Sequence, residues 1–221
     1  MHGNELKIID IPILGNSTVQ VAALNVSSLD IGSWLHDSMH PLSDYRKAHA
    51  LAYIQEADQQ RSLGATLLLD YFLRRYNLRE ASMEYGKTAF GKPYFKVHPN
   101  LHFNLSHSGK FAIAAFDHQP IGVDIEQLTP FEEEVAACCM QPSEIAGLKA
   151  YPETRHNQLF TTSWCLKEAI LKARGTGIDQ TFPIIHFEQG LPKWNEETNE
   201  QWNYRIFQLE DYMGAVAFTT P

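Results

Sequence analysis

The stretch WCLKEAILKARGTG, Trp164–Gly177, constrains this chain more than any other. Leu166, Ala169, Ile170 and Ala173 recur at spacings of three and four, the single apolar stripe of an amphipathic helix, and a glycine-flanked turn closes it. Trp164, Glu168 and Lys172 stand four apart, so they line a neighbouring face one above the other. Glu168 and Lys172 are then either an exposed ion pair, worth about 0.3–0.5 kcal/mol, or a metal ligand beside a phosphate clamp.

A chain of 221 residues makes one large domain or two small ones and can bury a core. No apolar run reaches the roughly 18–20 residues of a membrane span, and MHGNELKIID has no basic region followed by an apolar block, so neither a membrane anchor nor a secretory signal is expected. Cys138, Cys139 and Cys165 have no metal-ligand spacing, and their odd number suits a reducing compartment, so a cytoplasmic protein is expected. The net charge of −8 opposes general nucleic-acid binding. It is also uneven: residues 1–119 hold eleven Lys+Arg against eleven Asp+Glu, and residues 120–221 hold seven against fifteen. The first half can receive an anion and the second a cation.

Along the chain, residues 6–27 alternate around Gly15-Asn16-Ser17 as strands of a small sheet. Ser43 or Asp44 caps a helix through about Ile54, and a second helix, Glu56 to Tyr76, is apolar nearly all round between Leu63 and Leu73, as a core helix is. Arg74, Arg75 and Arg79 fall near its C-terminus, where cations are favoured. Gly91-Lys92-Pro93 signals a turn before a short extended segment. Leu101–Leu105 and Phe111–Phe116 read as strands joined by a loop, Ser106-His107-Ser108-Gly109-Lys110; taken alone, it is an ordinary polar hairpin loop with several donors for an anion.

In the strand Ile121-Gly122-Val123-Asp124-Ile125-Glu126, the two carboxylates share one face. They are either the wet side of an edge strand or a pair held around a hard cation such as Mg²⁺. Thr129-Pro130 starts a helix Phe131–Cys139 whose Glu132, Glu133 and Glu134 suit the dipole as solvated surface. A helix begins at Pro142-Ser143-Glu144, and a long one runs from about Glu153 into the opening stretch. Phe182–Glu188, Trp202–Leu209 and Ala215–Thr219 read as strands, with GLPKWNEETNEQ a polar connection.

Four stretches carry polar chemistry in this order: GKPYF at 91–95, FNLSHSG at 103–109, IGVDIE at 121–126 and WCLKEAILKARGTG at 164–177. Together they resemble the Sfp-type 4′-phosphopantetheinyl transferases. The resemblance implies an α+β fold of two similar subdomains, residues 1–118 and 119–221, related by a pseudo-twofold. Each is a small antiparallel sheet packed on a long helix, with the active site in the cleft between them. It implies transfer of the phosphopantetheine arm of coenzyme A to a serine of an acyl or peptidyl carrier protein, with Mg²⁺ as the metal and Mn²⁺ equally suited to oxygen ligands. By that resemblance Asp124, Glu126 and Glu168 hold the metal, and Glu168 is also the general base toward the acceptor serine. Lys172 and His107 meet the phosphates as further catalytic groups, and Ser106 assists. Gly91, Lys92, Pro93 and Asn104 belong to the coenzyme-binding loops, and Arg46 and Arg61 to the 3′-phosphate pocket, where His49 stands in place of an expected basic residue. Trp164 is expected to anchor the helix by packing. A monomer is expected, because one chain supplies both sides of the cleft. The carrier is expected to dock on residues 127–150. The alternative is a non-catalytic module that binds coenzyme A or a carrier protein.

Overall fold

The computed structural model describes residues 6–13, 18–38, 41–177, 185–194 and 202–219. The first half contributes β1 (Ile8–Ile11), β2 (Gln20–Asn25), α1 (Ile31–Leu35), α2 (Asp44–Leu51), α3 (Glu56–Arg74), the hairpin β3 (Tyr85–Lys87) and β4 (Pro93–Phe95), then β5 (His102–Ser108) and β6 (Phe111–Asp117). The second contributes β7 (Ile121–Gln127), α4 (Glu133–Ala136), α5 (Pro142–Lys149), α6 (His156–Arg174), β8 (Ile185–Glu188), β9 (Leu191–Trp194), β10 (Trp202–Leu209) and β11 (Tyr212–Thr219). Helices and wholly antiparallel sheets make this an α+β fold. One sheet has the order β1-β2-β6-β5 and another β10-β11-β7.

Alternation along the strands builds the layers. Ala22, Leu24, Ala112, Ala114 and Phe116 form the face of the first sheet that packs on α3, against Leu63, Leu67, Leu68 and Phe72. The other face, with Val21, Ala23, Ile113 and Ala115, meets Ile121, Val123, Ile125 and Val216 of the second sheet. The far side of the second sheet, Met213, Ala215 and Ala217, packs on Leu166, Ala169, Ile170 and Ala173 of α6. The order through the molecule is therefore α3, sheet, sheet, α6. The stripe read from the sequence is the buried face of α6, and Gly175, at φ +73°, ends the helix with its N–H on the Leu171 carbonyl.

Ser43 caps α2, accepting from Arg46 N–H, but the helix stops at Leu51 rather than near Ile54. The core helix ends at Arg74, two residues before Tyr76, and Arg74 and Arg79 both reach Asp70. Four expectations are corrected. Ser106, His107 and Ser108 are not loop: β5 runs through them, leaving Gly109-Lys110 as the turn. Thr129 caps no helix; its hydroxyl donates to Gln127 O, its N–H goes to Thr161, and α4 is one turn long. Leu191–Trp194 is not connection but β9, paired with β8 across Gln189 and Gly190, both at positive φ. Ala215 lies within β11, which begins at Tyr212. The turn expected at Gly15-Asn16-Ser17 and the start of the Phe182–Glu188 strand lie outside the described residues.

Gly122 sets the distance between β7 and α6. A Cβ there would lie 2.0 Å from the Ala169 carbonyl oxygen and 2.3 Å from the Ala173 nitrogen. Backbone on a packed helix cannot yield as a side-chain tip can, so Gly122→Ala is expected to cost about 1–3 kcal/mol. Chemical denaturation reads this, and an unchanged midpoint would contradict the close approach.

Candidate active site

β7 is an edge strand whose free edge faces β5, and side chains of the first half satisfy it in place of a neighbouring strand. Lys92 Nζ donates to Ile121 O at 3.0 Å, Val123 N–H donates to Asn104 Oδ1 at 2.9 Å, and Gln127 N–H donates to Ser108 Oγ at 3.2 Å. The outward carboxylates join the same seam: Ser106 Oγ donates to Asp124 Oδ1 and Ser108 Oγ to Glu126 Oε2, each at 2.7 Å. Asp124 is only 2% exposed, so the pair is not the wet face of a surface strand.

From the other side, α6 brings Lys172 to this seam. Its ammonium lies 2.5 Å from Asp124 Oδ1 and 3.1 Å from Ser106 Oγ. Lys172 thus pairs with the strand carboxylate rather than with Glu168 one turn before it. Burial opposes the Lys172 charge, but Asp124, Glu168 and Glu126 outweigh it and hold the ammonium above its ordinary value. Burial, with Asp124 adding and Lys172 opposing, raises the Glu168 carboxyl. Burial and then Asp124 raise Glu126, while the Ser108 hydrogen bond and Lys172 pull it back.

Two carboxylate oxygens here, Asp124 Oδ2 and Glu168 Oε1, are buried with no hydrogen-bond partner. Unpartnered buried oxygens are costly, and an oxygen-seeking dication is the kind of group that would satisfy them. Among the described residues no three His, Cys, Asp or Glu groups form a metal-holding cluster by themselves. The donor set therefore fits a cation that takes one or two carboxylates and completes its shell with substrate phosphates and water.

A cleft of about 290 Å³ opens beside these groups, lined by Phe90, Gly91, Lys92, Asn104, Glu168 and Lys172 among others, with Pro93 also on its wall. Gly91, at φ +86°, makes the turn that brings Lys92 to the second half. Lys92 Nζ also donates to Ala173 O at 2.9 Å, and burial pulls its ammonium down to about 8. Arg61, at the start of α3, donates to Gly109 O at 3.0 Å and pairs with Asp58.

Burial, then the charges of Arg61 and Lys172, hold the His107 imidazole below its ordinary value. Arg61→Met removes the larger cationic influence, and its His107 titration, followed by NMR, is expected to move upward; an unmoved midpoint would contradict the grouping. Arg46 is set apart from the cleft walls: it is buried, with Nε on Thr66 Oγ1 at 3.0 Å. His49 beside it lies edge-on to Tyr53.

The structure thus gathers Asp124, Glu126, Glu168, Lys172, Ser106, Asn104, Gly91, Lys92 and Pro93 around one seam and its cleft, with His107 and Arg61 next to them. Ser108 and Gly122 were not singled out from the sequence. A glycine within a β-branched strand was the available signal for the second.

Both halves match models of one family. Residues 33–119 match "4′-phosphopantetheinyl transferase, N-terminal" and residues 120–217 match the "4′-phosphopantetheinyl transferase superfamily". A 4′-phosphopantetheinyl transferase of Bacillus subtilis is 31% identical over 154 residues, covering 69% of this chain and 68% of that one. The 4′-phosphopantetheinyl transferase Sfp of Bacillus subtilis strain 168 is 34% identical over 139 residues, covering 63% and 61%. The transferase pptA of Paxillus involutus is 28% identical across 90% of this chain and 87% of its own. The chain belongs to the 4′-phosphopantetheinyl transferase family. Its matches span 61–68% of the length of these two Bacillus relatives.

Proposed function

We propose that this protein transfers the 4′-phosphopantetheine arm of coenzyme A to a serine hydroxyl of an apo acyl or peptidyl carrier protein, releasing adenosine 3′,5′-bisphosphate. The observation that carries the reading is the pair of unpartnered buried oxygens on Asp124 and Glu168, beside a lysine that bridges Ser106 and Asp124. Residues 1–118 and 119–221 act as two like-built halves related by an approximate twofold, with coenzyme A in the cleft between them.

Asp124 and Glu168 would hold Mg²⁺ or Mn²⁺, with Glu126, steadied by Ser108, beside them. Such an ion, when bound, neutralises diphosphate charge during attack at phosphorus. Glu168 takes the proton from the acceptor serine as general base. Lys172 offers its ammonium to the phosphates from the α6 side, and Ser106, His107 and Arg61 offer donors from the other. Gly91, Pro93 and Asn104 shape the coenzyme loop.

The carrier docks on the α4–α5 face, where Met140, Pro142, Ile145 and Ala146 line a groove of about 460 Å³ rimmed by the Glu133–Lys149 ion pair. Contacts of this apolar kind serve a chain whose net charge of −8 would repel an acidic partner. We place the protein in the cytoplasm as a monomer; no described helix is long and apolar enough to cross a membrane. The reading is tested by adenosine 3′,5′-bisphosphate release from coenzyme A with an apo carrier, with Mg²⁺ and then with excess chelator. Release that stops with the chelator and returns with the metal supports it, whereas metal-independent release would overturn the metal assignment. Coenzyme A binding without product would favour the non-catalytic module, which the joint presence of Asp124, Glu168, Lys172 and His107 speaks against.

A further inference from the structure

We infer that Lys92 is a positioning residue, a strut that holds the last turn of α6 and the start of β7 in fixed relation across the cleft. The inference rests on the transfer reading for its consequence, though not for its geometry. Its Nζ donates to Ala173 O at 2.9 Å and to Ile121 O at 3.0 Å. The first carbonyl belongs to the residue after Lys172 and is among the last four of α6, which have no partner within the helix. The second lies three residues before Asp124 on the free edge of β7. One ammonium therefore fixes the two elements that carry Lys172 and Asp124, and it sits at a helix C-terminus, where a cation is favoured.

The rest of the residue is built for this. Lys92 N–H donates to Thr88 Oγ1 and Lys92 O accepts from Thr88 N–H, so the loop that carries it is closed on itself. Its aliphatic stem lies over Gly175, where a Cβ would come within 3.1 Å of Lys92 Cδ. Lys92, Pro93 and Gly175 form the partition between two cavities, each of about 290 Å³. Two of the three donors of the Lys92 ammonium are spent on these carbonyls, so the lysine of the GKP stretch acts on the coenzyme through α6 and β7.

The test is Lys92→Met, which keeps the stem and removes the donors. In the ligand-free protein, amide hydrogen exchange across residues 168–176 is expected to quicken about tenfold or more, with α3 and β6 unchanged. In the transfer assay kcat falls about tenfold while KM for coenzyme A stays within about threefold. Unchanged exchange overturns the strut, and so does a loss confined to KM, which is the signature of a direct coenzyme contact. Faster exchange with kcat intact overturns its catalytic consequence. Should exchange quicken throughout α3 as well, Lys92→Gln, which keeps a shorter donor, is read in its place by the same criteria. A wild-type protein that transfers nothing would defeat the proposed function, while the exchange result would still decide the strut.

Discussion

Replacing Glu168 by glutamine is expected to slow phosphopantetheine transfer about 10²–10⁴-fold without destabilising the ligand-free protein. The amide matches the carboxylate in shape but cannot take the proton of the acceptor serine. Stability should not fall, because Glu168 Oε1 has no hydrogen-bond partner to lose. The sign of the titration agrees. A carboxyl raised by burial contributes stability while protonated and loses it as pH rises through its folded value. Glutamine removes that loss, so the thermal midpoint of the variant should equal or exceed that of the parent at pH 7 and depend less on pH above the ordinary carboxyl range. Near-normal turnover would remove Glu168 from the reaction, and a sharply lowered midpoint would show that its role is structural.

The residue before it carries the largest expected effect on stability. Lys167 is 2% exposed at its side chain and Glu144 is fully buried; they pair at 2.9 Å. Lys167 Nζ also donates to Cys139 O at 2.9 Å, and Glu144 accepts from Ile185 N–H and Gln141 N–H, so the pair knots together α5, α6, β8 and the segment after α4. Lys167→Met leaves the Glu144 charge buried and uncompensated, and is expected to cost about 3–5 kcal/mol. Adding Glu144→Gln should recover part of this, since the amide carries no buried charge and its one oxygen still accepts from either Ile185 N–H or Gln141 N–H. Losses of the two single variants, Lys167→Met and Glu144→Gln, that simply add in the double variant would show that the two residues are not coupled.

These residues show what the sequence could and could not reveal. The α6 stripe, its glycine stop, the apolar α3 and the β7 strand were legible because local periodicity and burial agree there. The Ser106–Ser108 segment was misread as a loop because serine and histidine are weak strand signals; its antiparallel ladder to β6 keeps it extended, and Asp124 and Glu126 accept from its two serines across the seam. β9 contains Pro192, which sequence rules discount within a strand but which an edge tolerates. The Thr129 cap was lost to a tertiary partner, Thr161 on α6, which local reading cannot see. In the site, Glu168, Lys172, Asp124 and Glu126 were legible from spacing and resemblance together. The pairing of Lys172 with Asp124 and the reach of Lys92 to Ala173 were not, because both join residues far apart in the chain.

The most direct test of the whole account is intact mass spectrometry of several apo carrier domains, of fatty-acid, polyketide and peptide type, each incubated with the protein, coenzyme A and Mg²⁺. The account predicts that at least one gains the mass of a phosphopantetheine group at its serine, and that Asp124→Ala abolishes the gain. No transfer to any carrier, with the protein folded and the metal present, would contradict it.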